Sequence, residues 1–159
     1  MIKTNSATTY PAASRKNTWK WIAGVFCAVL IAVWAWLGFA MLNEPERDYS
    51  TTRQSDNGLY IMNIQPSQDP IPINSIHTWK LHVETPSGEV VENATITVDG
   101  DMPEHGHGLP TQPKVTQYLG NGDYLVEGVK FQMTGWWVMD FDVTMDGKTD
   151  HVRFNLRLE

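Results

Sequence analysis

Residues 136–158 read WWVMDFDVTMDGKTDHVRFNLRL, and the two-residue rhythm on either side of Asp146-Gly147 decides the fold. Trp137, Met139, Phe141, Val143 and Met145 alternate with Val138, Asp140, Asp142 and Thr144, and beyond the turn Val152, Phe154, Leu156 and Leu158 alternate with Arg153, Asn155 and Arg157. A period of two sends successive side chains to opposite faces, so each run has one apolar face for a core and one polar face for water. The Asp-Gly pair supplies the positive φ that a tight primed turn needs at both central positions, which makes the two runs a hairpin. By the same alternation Trp137 points into the core and Trp136 points out of it.

The pattern spreads outward from this hairpin. Asn121-Gly122 predicts a second hairpin and Ser87-Gly88, between Thr85 and Val90, a third. His77, Trp79, Leu81 and Val83 alternate with Thr78, Lys80 and His82, and Ala94, Ile96 and Val98 alternate with Thr95, Thr97 and Asp99. Runs at 59–65, 75–85, 90–99, 113–120, 123–130, 136–146 and 149–158 give the expected class: an all-β, seven-stranded antiparallel immunoglobulin-like sandwich. The disulfide and tryptophan pattern of antibody domains is absent. Cys27 is the single cysteine and lies outside this region, so the sandwich has no disulfide and no thiolate for catalysis or zinc.

Cys27 sits instead in WIAGVFCAVLIAVWAWLGFAML, residues 21–42, which carries no charge. As a helix these residues extend about 33 Å, enough for a hydrocarbon core of about 30 Å. The run is too long for the apolar stretch of a cleaved leader, and residues 19–42 are therefore read as a single-pass transmembrane helix, with Trp19 and Trp21 placed as interfacial aromatics. Lys3, Arg15, Lys16 and Lys20 precede residue 21 without a single acid, whereas all 18 Asp and Glu residues follow residue 43. The positive-inside rule then sets residues 1–18 as a cytoplasmic tail, 43–57 as a polar stalk and 58–159 as a domain on the periplasmic or extracytoplasmic side of a cell inner membrane. The acidic body repels phosphate backbones, which argues against nucleic acid as a partner.

Between the third and fourth runs lies DGDMPEHGHGLP, residues 99–110. If residues 105–107 are extended, His105 and His107 project to the same side, near enough to reach one ion. Met102 is the nearest further donor, and Met133, in the turn before Trp136, is expected at the same end of the sandwich. Imidazole with thioether favours copper, Cu(I) especially, over calcium or magnesium, and argues against zinc. Such ligands must be neutral, so binding should weaken in acid. The alternatives are a polar turn with a surface histidine, and a core role for Met133. Trp136 either packs locally or offers a docking surface to a partner.

The stretches IHTWKLHVETPSGEVVENATITVDGDMPEHGHGLPTQP and GNGDYLVEGVKFQMTGWWVMDFDV resemble the YtkA-like domain and its FixH-like relatives, through the MPxHGHG loop and the later FxMxGxW turn. The resemblance implies an anchored extracytoplasmic immunoglobulin-like domain that handles copper or assists the assembly of respiratory metalloproteins. The matching positions are Met102, His105 and His107 in the loop and Met133 and Trp136 in the turn. No second motif names a particular oxidase. Two functions follow as expectations: a copper-binding or copper-delivery domain whose partner is a respiratory or copper-handling protein, and a non-metal accessory subunit of a membrane complex. No nucleophile with a base, phosphate loop or zincin motif is present in the sequence, so no enzymatic activity is expected.

Overall fold

A computed structural model describes residues 18–42 and 46–159. The expected cytoplasmic tail, apart from Thr18, and the first residues of the expected stalk lie outside these. α1 (Thr18–Leu42) is one helix of 25 residues, and Trp19–Phe39 within it is long and apolar enough to cross a membrane. From Trp19 to Phe39 its side chains are exposed almost throughout, as lipid-facing side chains of a lone span are. The helix is consistent with a single-pass anchor.

A separate compact unit, Arg47–Glu159, is built from strands alone. These are β1 (Thr52–Gln54), β2 (Ile61–Pro66), β3 (His77–Glu84), β4 (Thr95–Met102), β5 (His107–Gly108), β6 (Lys114–Gly120), β7 (Asp123–Val129), β8 (Gly135–Met145) and β9 (Lys148–Leu158). They form two antiparallel sheets, β1-β2-β3-β7-β6 and β5-β4-β8-β9, and the sandwich is the expected one. It has nine strands rather than seven. The two additions, β1 and β5, are three and two residues long, too short for period two to register in a sequence.

β1 falls in the segment read as a stalk. It pairs with β2 through Arg53 opposite Met62, and the turn after it is fastened to β9 by Asp150. That carboxylate is buried and accepts the Asn57 N–H at 3.1 Å, the Asn57 amide Nδ2 at 2.9 Å and the Leu59 N–H at 3.1 Å. Burial alone raises a carboxyl pKa; the hydrogen bonds from Ser55, Leu59 and Asn57 outweigh it and hold Asp150 well below the ordinary carboxylate range.

The β8–β9 hairpin pairs without a slip from Gly135 opposite Leu158 to Met145 opposite Lys148, and Asp146 and Gly147 both have positive φ. Trp137, Met139, Phe141 and Val143 are fully buried against Trp79, Leu81, Val83 and Val126 of the facing sheet. The hairpin at Asn121-Gly122 also forms, with both residues at positive φ. The turn at Ser87-Gly88 closes as expected through Thr85 and Glu89, but the returning chain makes only a single bridge, Val90 to Glu84. It then leaves this sheet, and β4 begins at Thr95 in the other one.

Candidate functional site

β4 ends, β5 lies and β8 begins at one end of the second sheet; the β7–β8 connection arrives there from the first. β4 runs on to Met102, three residues beyond the expected end of that strand, and this extension changes the reading of the loop. Ile96, Val98, Gly100 and Met102 share one face by period two, so Met102 is 1% exposed and belongs to the core. Its methyl carbon takes the space over Gly135, where an added Cβ would come within 2.6 Å. Its thioether is thus packed between the sheets, and it is the Met102 carbonyl that organises the loop. That oxygen accepts the N–H groups of His105 and Gly106, each at 2.9 Å. Gly106 turns the chain at φ 66°, and β5 then pairs His107 back against Met102.

This tight turn places the two imidazoles side by side, with ring centroids 5.9 Å apart. His105 is exposed and His107 half-buried. The His107 ring also lies edge-on to the Trp137 indole at 5.6 Å, so one imidazole is backed by the core and the other faces water. A metal–nitrogen bond of about 2.0 Å puts an imidazole centroid roughly 3.2 Å from the ion, so two ligands of one ion have centroids up to about 6.4 Å apart. The observed separation fits. Among the described residues no group of three or more His, Cys, Asp and Glu side chains could hold a metal ion, so further donors would have to be sulfur or exogenous.

Met133 lies in the β7–β8 connection that arrives at this end. It is half-buried and packs against the core, and its carbonyl accepts the Trp137 indole N–H at 3.0 Å. The preceding Gln132 touches one of the two imidazoles directly: its Nε2 lies 3.0 Å from His107 Nδ1 and donates to the Gly108 carbonyl at 3.3 Å. Gln132 was not singled out by the sequence reading. The sole signal for it was its place beside Met133 in the FxMxGxW stretch.

Trp136 is outward-facing, as alternation requires, and it is occupied within the domain. The Arg47 guanidinium lies 3.9 Å above its ring and its indole N–H donates to Asn155 at 3.0 Å. Arg47 also reaches Glu104 of the histidine loop at 3.3 Å. Trp136 thus packs locally against Arg47 and Asn155 and stays half-buried. His77, at the start of β3, is 4% exposed, contacts the Ser75 carbonyl through Nδ1 at 3.1 Å and packs on Phe131. His82 is held by Asp123 at 2.7 Å and His151 lies between Asp142 and Asp140 at 2.9 and 3.2 Å, on the outer faces of the two sheets.

An all-β sandwich carrying an ordered imidazole pair at its rim, preceded in the chain by an apolar helix, is the class of protein these features define. The family model described as YtkA-like matches residues 59–142, from just before β2 into β8, and the chain belongs to that family. No curated protein and no solved structure matches it.

Proposed function

We propose that this protein is a membrane-anchored, extracytoplasmic copper-binding or copper-delivery domain without enzymatic activity of its own. His105 and His107 hold the ion as cargo at the rim, with Met133 as the sulfur donor. The observation that carries the reading is the pair of imidazoles 5.9 Å apart on a loop ordered by two hydrogen bonds to one carbonyl. A loop already fixed in its bound shape loses little entropy on binding, and imidazole with thioether is the ligand set that copper favours. Family membership supports an extracytoplasmic accessory role, and the basic residues ahead of the helix support an inner-membrane anchor with a cytoplasmic N-terminus.

Met102 does not enter this set, because its side chain is enclosed. A site of two or three donors, one imidazole exposed, suits transfer, since an acceptor can displace the donors one at a time. The acceptor would be a respiratory or copper-handling protein in the same membrane.

The test is a Cu(I) titration of the full chain in detergent micelles against a chromogenic chelator. Replacing both histidines, as His105→Ala with His107→Ala, should weaken binding at least about tenfold while leaving the fold intact by circular dichroism. Undiminished binding in that variant would overturn the assignment. Chelator-insensitive retention of a stoichiometric membrane partner by the same variant would favour the accessory-subunit role instead.

A further inference from the structure

Four buried polar side-chain atoms have no partner among the described residues: His77 Nε2, Trp79 Nε1, Thr111 Oγ1 and Gln132 Oε1. The fourth is on the side chain that touches His107, and from it we infer that Gln132 is a positioning residue that selects which ring nitrogen of His107 is offered to the ion.

The inference rests on the copper reading above and deepens it. The Gln132 amide nitrogen has two protons and faces two acceptors, the Gly108 carbonyl at 3.3 Å and His107 Nδ1 at 3.0 Å. With Nδ1 as the acceptor of the Gln132 amide, the proton of the neutral ring is assigned to Nε2. Nδ1 is thereby closed to any ion, so Nε2 is the nitrogen left for ligation. Ligation through Nε2 requires the ring proton to move to Nδ1, which then needs an acceptor of its own.

Two are in place. The Gly108 carbonyl lies 3.3 Å from Nδ1, and a half-turn of the Gln132 amide exchanges its nitrogen and oxygen, bringing Oε1 to face Nδ1. Oε1 has no donor in the present orientation, so the turned amide gives that oxygen the Nδ1 proton it lacks here and gives up the bond from Nε2 to the Gly108 carbonyl. Gln132 can therefore donate to the ring in the metal-free state and accept from it in the loaded one. A ligating histidine whose second nitrogen is held by a carbonyl-type acceptor has a fixed orientation and a more basic donor atom, and loss of such support lowers metal affinity about 10- to 100-fold.

The experiment compares the full chain with Gln132→Leu, Gln132→Glu and His107→Ala in detergent micelles. The first readout needs no metal: the ¹⁵N shifts of the His107 ring report the tautomer. Wild type should carry the proton on Nε2, Gln132→Leu should show a mixture, and Gln132→Glu, which cannot donate, should move the proton to Nδ1. The second readout is Cu(I) affinity, expected to fall about 10- to 100-fold in Gln132→Leu and to be retained or raised in Gln132→Glu. A purely structural role would make both substitutions act alike and leave the tautomer unchanged. A wild-type ring protonated on Nδ1, or a Gln132→Leu variant with wild-type tautomer and affinity, overturns the inference. If His107→Ala also binds copper normally, the site assignment fails as well; if it does not, that assignment survives and the role of Gln132 alone is lost.

Discussion

Asp150→Ala tests how β1 and the segment before β2 become part of the sandwich. In the folded protein the carboxylate accepts hydrogen bonds from the Asn57 N–H, the Asn57 Nδ2 and the Leu59 N–H. Each hydrogen bond to a charged acceptor contributes roughly 1.5–3 kcal/mol, and a buried donor left unpaired costs about 1–3 kcal/mol. Asn57 and Leu59 are themselves exposed, so their freed N–H groups recover part of this from water. A net loss of about 3–4 kcal/mol is expected, which for a folded unit of this size lowers Tm by about 10–20 °C. The assay is thermal unfolding of the full chain in micelles, followed by the near-ultraviolet circular dichroism of the buried Trp79 and Trp137. Asp150→Asn, which keeps one acceptor oxygen, should fall between wild type and Asp150→Ala and remains folded if the alanine variant does not. The acid limb supplies an independent check. Because the folded pKa of Asp150 lies below its unfolded value, its contribution is fully present above an unfolded pKa of about 3.9 and fades as the pH drops toward the folded one. The gap between wild type and Asp150→Ala should therefore narrow below about pH 4. A Tm for Asp150→Ala within about 3 °C of wild type near neutral pH would refute the reasoning.

Two further outcomes are expected. Gly135→Ala should lower stability by about 1–3 kcal/mol, because position 135 has φ +124° and the new Cβ would meet the methyl carbon of Met102 at 2.6 Å; an unchanged denaturant midpoint would show that Met102 is not wedged there. His151 titrates above the ordinary imidazole range because it hydrogen-bonds Asp142 and lies near Asp140. Its contribution is complete below the unfolded value of about 6.5 and is lost as pH rises through the folded one, so His151→Ala should erase a decline in Tm from mildly acidic to mildly alkaline pH. NMR titration of the His151 ring checks the direction of the shift directly.

Read by itself, the chain determined its long elements. Period two over eleven-residue strands and two Asx-Gly turns leaves few ways to bury Trp137, Phe141 and Phe154 other than a sandwich, and 22 uncharged residues make a helix long and apolar enough to cross a membrane. These are local properties, set by where each side chain must point. The tertiary structure decided what depends on contact. The fate of Met102 turned on three more residues of strand beyond Asp99, which carry its sulfur into the core by the same alternation. The turn after β1 is fastened because Ser55, Asn57 and Leu59 meet Asp150, some 90 residues away in the chain. Trp136 is covered because Arg47 reaches it, and Gln132 faces His107 across two different loops. The members of these pairs are far apart in the chain, and only the folded domain brings them into contact.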